Sequence, residues 1–125
     1  MPSLITCLKY QNAPAAIDFL KAAFGFTAKA VYPDPENPKM IHHAELVLGS
    51  SMIMIGSLHT PAERGNTITL YAVIDDADAH CAQAKLHGTH VLREPHDNEG
   101  YPGRSYEAED TEGHTWMFGT YDPWA

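Results

Sequence analysis

Two pairs of polar side chains in this chain have the types and the spacing of a binding or catalytic site. His43 and Glu45 lie two residues apart in one predicted strand, and Arg104 and Tyr106 have the same spacing in another. Residues two apart on a β-strand point to the same face of the sheet. Each pair could therefore reach one ligand, as hydrogen-bond partners or, for His/Glu, as an acid and a base. The sequence leaves open which face these strands present.

The other histidines show no spacing typical of a metal site. They are scattered over predicted strands, a helix and loops, at His42, His59, His80, His87, His90, His96 and His114. The chain has no Gly-x-Ser-x-Gly elbow and no phosphate-binding glycine loop. Cys7 and Cys81 form no Cys-x-x-Cys motif and have no evident activating base. We expect both to be buried free thiols that serve packing.

Length and charge limit the class of partner. The chain has 125 residues, with eight basic and 16 acidic side chains that give a net charge of -8. This charge disfavours nucleic acid and anionic membranes as partners. No segment reaches the roughly 20 apolar residues of a membrane span, and the amino terminus lacks the pattern of a signal peptide. We therefore expect a cytoplasmic protein.

The chain repeats itself at an offset of 63 residues. This offset brings eight identical pairs together, and among them Ile5, Thr6, Gly25, Met54 and Gly56 coincide with Ile68, Thr69, Gly88, Met117 and Gly119. Such a period marks two copies of one module. We place module 1 at about residues 3–58 and module 2 at about 66–121, in a single domain of residues 1–125. The alternative is an ordinary α+β domain with an accidental internal similarity.

The first copy predicts the element order β-α-β-β-β. A strand at residues 4–10 precedes a helix that Asn12 caps and Gly25 ends. A third element through Phe26 to Tyr32 and a proline-rich loop then lead to two strands, at about 41–48 and 51–57, joined by a tight turn.

The second copy repeats that order. A strand at 67–74 precedes a helix capped by Asp75 or Asp76 and ended at Gly88. Strands near 89–93, 104–109 and 114–121 follow. We interpret Asp110, in the turn before the last strand, as a structural hydrogen-bond acceptor.

Four segments, in order, resemble the vicinal oxygen chelate superfamily, which includes glyoxalase I, methylmalonyl-CoA epimerase, extradiol dioxygenases, and fosfomycin- and bleomycin-resistance proteins. They are YQNAPAAIDFLKAAFGF from Tyr10, HAELVLG from His43, IDDADAH from Ile74 and RSYEAEDTEGHTWMFG from Arg104. The likeness is closest to the bleomycin-resistance and glyoxalase-like branch. It implies an α+β fold whose two βαβββ modules form an incomplete eight-stranded barrel around a concave cleft, with the helices on the convex face.

The resemblance also implies where a metal ion would bind, because the family's metal enzymes take one ligand from the first and the last strand of each module. The repeat places these positions at Thr6, Met54, Thr69 and Met117. Glyoxalase-type chemistry needs imidazoles and carboxylates around a divalent ion. Two hydroxyls and two thioethers do not supply such donors, so we predict no metal and no cofactor.

Strand alternation extends these positions into a ligand-binding face. The opposite faces would pack under the helices, and they carry Ile5, Cys7, Ile53, Ile55, Ile68, Leu70, Trp116 and Phe118. Tyrosines in or beside the two loops could close over a ligand. The predicted ligand-binding residues are Thr6, Leu8, Tyr32, His43, Glu45, Met52, Met54, Thr69, Tyr71, Tyr101, Arg104, Tyr106 and Met117.

A cleft lined by hydroxyls, methionines and aromatic rings suits the binding of a partly flat organic molecule. We therefore predict a metal-independent binding protein, similar to bleomycin-resistance proteins, that sequesters a small aromatic or cationic compound. We expect a homodimer, with Trp124 packed at the subunit boundary. Two alternatives stay open. One is a metal-dependent glyoxalase-type lyase, isomerase or dioxygenase with a shifted site at His43, Glu45 or His114, and the other is a metal-free enzyme with His43 or Glu45 as general base.

Overall fold

A computed structural model describes residues 5–58 and 69–125. The chain divides into two units, Met1–Asn66 and Thr67–Ala125. The fold is α+β, and each unit has the β-α-β-β-β order predicted for one module, so we keep the names module 1 and module 2. His59 and Ile68, which the sequence analysis names, lie outside the described residues.

Module 1 is a four-stranded sheet with one helix. Its elements are β1 (Thr6–Tyr10), α1 (Ala13–Phe24), β2 (Thr27–Pro33), β3 (Ile41–Leu48) and β4 (Ser51–Ser57). The strand order is β1-β4-β3-β2, with β1 parallel to β4 and the other pairs antiparallel. Asn12 caps α1 as predicted, because its Oδ1 accepts a hydrogen bond from the Ala15 amide at 3.2 Å. The helix ends at Gly25, whose φ of 86° is in the left-handed region that glycine adopts without strain.

Module 2 has the same topology. Its elements are β5 (Thr69–Val73), α2 (Ala77–Leu86), β6 (His90–Asp97), β7 (Arg104–Glu109) and β8 (Thr115–Gly119), with strand order β5-β8-β7-β6. Of the two predicted caps of α2, Asp76 is the one used, and its Oδ1 accepts from the Ala79 amide at 3.0 Å. Strand β6 runs to Asp97, beyond its predicted end, because register shifts between Arg93 and His96 accommodate Pro95.

One face of each sheet is buried and turned towards the helix of its module. In module 1 this face carries Tyr10, Leu46 and Ile55, which are almost fully buried. In module 2 it carries Trp116 and Phe118, whose rings stack at a centroid distance of 6.0 Å. We call the other face of each sheet its open face. Both helices are short, and within the described residues neither is long and apolar enough to cross a membrane.

The register of β1 corrects the predicted facing of Thr6 and Leu8. Thr6 pairs with Ile53 and Leu8 with Ile55, and both partners are buried on the helix side. Side chains of directly paired residues share a face. Thr6 and Leu8 therefore point to the helix side, and the prediction that they line the ligand-binding face is wrong.

Cys7 takes the place predicted for Thr6. It pairs with Met54, whereas in module 2 Tyr71 pairs with Met117. The first strand of module 1 is therefore one residue out of step with that of module 2, and an ungapped repeat does not detect such a difference. The prediction of a buried Cys7 is also wrong, because the thiol is exposed, whereas Cys81 is buried as expected.

The barrel and the concave cleft concern how the two modules sit together. They stay predictions, as do the single domain of residues 1–125 and the homodimer.

Candidate functional site

The open face of module 1 brings together four residues that the sequence predicted for a ligand site. Glu45 pairs across the sheet with Met54, and Tyr32 pairs with His43. His43 Nε2 lies 3.0 Å from Glu45 Oε2. The ring centroids of Tyr32 and His43 are 5.8 Å apart. The middle strand β3 thus presents His43 and Glu45 on the same face as the methionine.

This group of side chains is accessible. The side chains of His43 and Glu45 are 38% and 25% exposed, and Tyr32 is 57% exposed. Met52 lies two residues before Met54 on β4, so its side chain is on the same face, where it pairs with Val47. A carboxylate, an imidazole, a phenol ring and two thioethers therefore form a mixed polar and polarizable surface.

The open face of module 2 has a similar central row. Met117 pairs with Tyr71 on one side and with Glu107 on the other. Thr69 also lies on this face, opposite Thr115. Glu107 is thus the structural counterpart of Glu45, since each carboxylate pairs with the methionine of its last strand.

Glu107 is not among the residues predicted from the sequence. The offset of 63 residues places Glu45 on Ala108, which is buried on the helix side. The alternation of β7 is the signal that could have identified Glu107. Tyr106 and Ala108 are apolar and turn to the buried face of the sheet, so Glu107 between them must turn to the open face.

Three tyrosines meet at one end of the open face of module 2, and we call them the tyrosine cluster: Tyr71, Tyr101 and Tyr121. The Tyr71 hydroxyl donates to the Tyr121 carbonyl oxygen at 2.7 Å. The rings of Tyr101 and Tyr121 meet edge to face, with centroids 5.4 Å apart and an interplanar angle of 79°. Burial and, to a smaller extent, the neighbouring Tyr101 raise the pKa of Tyr71 above its ordinary value.

Arg104 and Tyr106 do not lie on the open face, and their predicted place in the ligand-binding set is corrected. Tyr106 is fully buried, and its hydroxyl is hydrogen-bonded to Nδ1 of His80 on α2. Burial raises the pKa of Tyr106 well above its usual range. The Arg104 guanidinium forms ion pairs with Asp78 of α2 and Asp97 of β6, each at 3.0 Å. Both side chains join the helix to the sheet.

The turn before β8 has the structural role predicted for Asp110. Its Oδ1 accepts from the backbone amides of Glu112 and His114, at 3.0 and 3.1 Å. Its Oδ2 accepts from Trp116 Nε1 at 3.0 Å. His114 Nδ1 lies 3.1 Å from Asp110 Oδ1, so this histidine belongs to the turn.

The donors at the predicted metal positions do not fit a hard divalent ion. Met54 and Met117 offer thioethers and Thr69 a hydroxyl, while Thr6 points to the helix side. Zinc, iron and manganese sites in proteins use imidazole, carboxylate or thiolate donors. Within residues 5–58 and 69–125, no group of three or more His, Cys, Asp and Glu side chains has an arrangement that could hold a metal ion.

Comparisons with known proteins agree with this architecture. A family model described as Glyoxalase/Bleomycin resistance protein/Dioxygenase superfamily matches residues 6–118. A comparison with curated proteins found no match.

Among solved structures, TioX from Micromonospora sp. ML1 is 23% identical, with a TM-score of 0.77 and coverage of 95% of this chain and 98% of TioX. Protein PA1353 from Pseudomonas aeruginosa is 22% identical, with a TM-score of 0.73 and coverage of 94% and 96%. Glyoxalase I from Zea mays is 15% identical, with a TM-score of 0.78, and the match covers 94% of this chain and 44% of that one. At these identities the likeness is one of fold.

Proposed function

Because this chain belongs to the glyoxalase/bleomycin-resistance/dioxygenase superfamily, we propose that it binds and sequesters a small aromatic or cationic compound without a metal ion. Bleomycin-resistance proteins are the members that it would resemble in function. Sequestration needs a binding surface and no reactive group.

The observation that carries this proposal is the methionine at the centre of each open face. Met54 and Met117 stand where metal enzymes of this fold would need a hard donor. Thioethers make favourable contacts with aromatic rings, and their flexible side chains adapt to irregular shapes. Such a centre favours contact with an organic ligand over coordination of a metal.

The neighbours of the two methionines support the choice of ligand. Glu45 and Glu107 place one carboxylate beside each thioether, and tyrosine rings lie at Tyr32 and Tyr71. Aromatic faces and carboxylates both attract cations. The net charge of -8 adds a weak attraction of the same sign over a longer range.

The test is a thermal-shift and calorimetric screen of chelator-treated protein. The panel contains planar aromatic cations, matched neutral aromatics and aromatic carboxylates. We expect aromatic cations to bind, and Glu45→Gln or Glu107→Gln to weaken binding by about 1 kcal/mol because one charged contact is lost. Glu36→Gln, in an exposed loop, removes the same charge elsewhere and serves as the control. Absence of binding across the panel would overturn the proposal.

A metal-free enzyme is the second candidate, and the 3.0 Å contact between His43 and Glu45 favours it. A carboxylate that orients an imidazole is a common arrangement for general-base catalysis. Product analysis of any bound compound separates the two functions. Turnover that His43→Ala abolishes without loss of ligand affinity would establish the enzyme, and unchanged ligand would favour sequestration.

A homodimer is also part of the proposal. The tail residue Trp124 is 94% exposed on the single chain, and packing of its ring at a subunit boundary would remove this apolar surface from water.

A further inference from the structure

The tyrosine cluster of module 2 has the geometry of a cation-binding corner. Tyr101 and Tyr121 stand nearly perpendicular, at 79°, and the hydroxyl of Tyr71 is hydrogen-bonded to the Tyr121 backbone. Tyr71 and Tyr101 are 39% and 42% exposed. Proteins bind alkylated ammonium groups in aromatic cages, where several accessible ring faces surround the cation.

The corner is held in place by the backbone around it. Tyr101 lies in the loop between β6 and β7, and this loop is closed by Asn98. The Asn98 amide donates to the Gly103 carbonyl at 2.8 Å, and its side-chain amide donates to the Pro102 carbonyl at 2.8 Å. Ser105 Oγ donates to Asn98 Oδ1 at 2.7 Å. A loop fixed at both ends loses little conformational freedom when a ligand binds.

Gly119 fixes the third ring. A methyl group at this position would lie 2.5 Å from the Tyr71 hydroxyl oxygen and 2.6 Å from Ser105 Oγ. The absence of a side chain at Gly119 therefore lets the Tyr71 ring lie down on the open face and reach Tyr121.

The charge around the corner has one sign. Residues 105–125 contain five carboxylates and no lysine or arginine. Asp122 follows Tyr121 directly in the chain. Glu107 and Tyr71 pair with Met117 from opposite sides, so the three residues form one row across the sheet. Arg104, the basic residue just before this segment, forms ion pairs with Asp78 and Asp97 on the helix side. A cation at the tyrosine cluster would thus meet aromatic faces and carboxylates.

We propose that the tyrosine cluster is a subsite for an alkylated ammonium group, so that the ligand of this protein carries a quaternary or tertiary ammonium attached to an aromatic body. This inference rests on the proposed function and narrows it. Tyr71, Tyr101 and Tyr121 contact the ammonium group, and Gly119 is a positioning residue.

The experiment compares two probes of equal shape with the full chain, after treatment with a chelator. They are (3-hydroxyphenyl)trimethylammonium and 3-tert-butylphenol, which differ in one charged atom. We expect the cation to bind about tenfold more tightly by calorimetry, since cation–π contacts add roughly that factor. We also expect its N-methyl proton resonance to move upfield on binding, because the protons lie over ring faces.

Two variants of an exposed residue locate the effect. Tyr101→Leu removes a ring face and should lower the affinity for the cation about tenfold more than it lowers that for the neutral probe. Tyr101→Phe restores the ring and should restore the preference. The inference would be overturned if the wild type bound both probes with equal affinity or did not bind the cation. It would also be overturned if Tyr101→Leu kept the wild-type preference for the cation. If planar aromatic compounds still bind the metal-free protein, the proposed function stands alone; if nothing binds, both fail.

Discussion

Two strand glycines that the repeat superposes, Gly56 and Gly119, have different surroundings. A methyl group at Gly56 would meet the His42 carbonyl oxygen at 3.5 Å, an ordinary contact. The same group at Gly119 would lie 2.5 Å from the Tyr71 hydroxyl oxygen, which is held by its hydrogen bond to Tyr121. The identical residues thus have different reasons to be glycine.

Gly119→Ala should destabilise the protein by about 1–3 kcal/mol, the usual cost of a forced displacement in a packed site. Gly56→Ala is the matched control and should be neutral or stabilising by about 0.5 kcal/mol, because alanine loses less backbone entropy than glycine. Urea unfolding of both variants measures the difference. Equal unfolding free energies would show that the Tyr71 ring does not depend on Gly119.

The buried Tyr106 gives the protein a stability that depends on pH. Burial raises its pKa above the ordinary value of about 10, so the folded state keeps a proton that the unfolded state releases. The stabilising contribution is fully present below about pH 10 and is lost as the pH rises above that value. Burial raises the pKa of Tyr71 as well, with the same sign.

Tyr106→Phe should therefore reduce the alkaline loss of stability by up to about 1.4 kcal/mol per pH unit above pH 10. Urea unfolding of the wild type and the variant between pH 8 and pH 11 measures it, and Tyr101→Phe, on an exposed loop, is the control. If the wild type and Tyr106→Phe lost stability in parallel above pH 10, Tyr106 would not be the group responsible.

At the scale of the elements, the turn before β8 depends on one buried carboxylate. Asp110 accepts hydrogen bonds from two backbone amides and from the indole of Trp116. Its removal leaves three donors without this acceptor in a buried setting, which is costly.

Asp110→Ala should lower the free energy of unfolding by roughly 2–4 kcal/mol and shift the fluorescence of Trp116 to longer wavelength. Asp122→Ala is the control. The Asp122 side chain is exposed, and within the described residues it accepts one hydrogen bond, from the amide of Trp124. That variant should cost about 0.5 kcal/mol or less. Similar losses in the two variants would contradict the structural role of Asp110.

The strands show where prediction from sequence succeeds and where it ends. Helix caps at Asn12 and Asp76 and the hairpin between β3 and β4 follow from local chemistry, and they lie where the residue types predict them. The face of β1 depends on pairing with β4, some 45 residues later in the chain, and a difference of one residue between the modules exchanged Thr6 and Cys7. Tyr10 is fully buried and lies two residues after Leu8 and four after Thr6, so all three side chains turn to the same face of the sheet. The burial of Tyr10 therefore marks this face as the helix side.

The middle strands were open to either facing for the same reason. The two-residue spacing alone does not separate His43 and Glu45, which lie on an open face, from Arg104 and Tyr106, which contact α2. The difference arises from tertiary contacts with the helix, and these are not encoded in the spacing of two residues.

At the scale of the whole molecule, the proposed homodimer gives a further prediction. Light scattering should find twice the chain mass, and Trp124→Ala should shift the equilibrium towards the monomer, because the ring is 94% exposed on the single chain. Leu86→Ala, another exposed apolar side chain at 81%, is the control and should leave the mass unchanged. A wild-type protein of single chain mass at high concentration would contradict the homodimer.

Membership of a superfamily that contains metal enzymes makes metal independence the central claim. The test that addresses it most directly is a calorimetric titration of a planar aromatic cation into chelator-treated protein, repeated after addition of nickel, zinc, manganese or ferrous iron. We predict binding near one equivalent per site with the same affinity in every case, because Met54 and Met117 offer no hard donor. Binding that appears only after a metal is added would contradict the claim and indicate a shifted metal site.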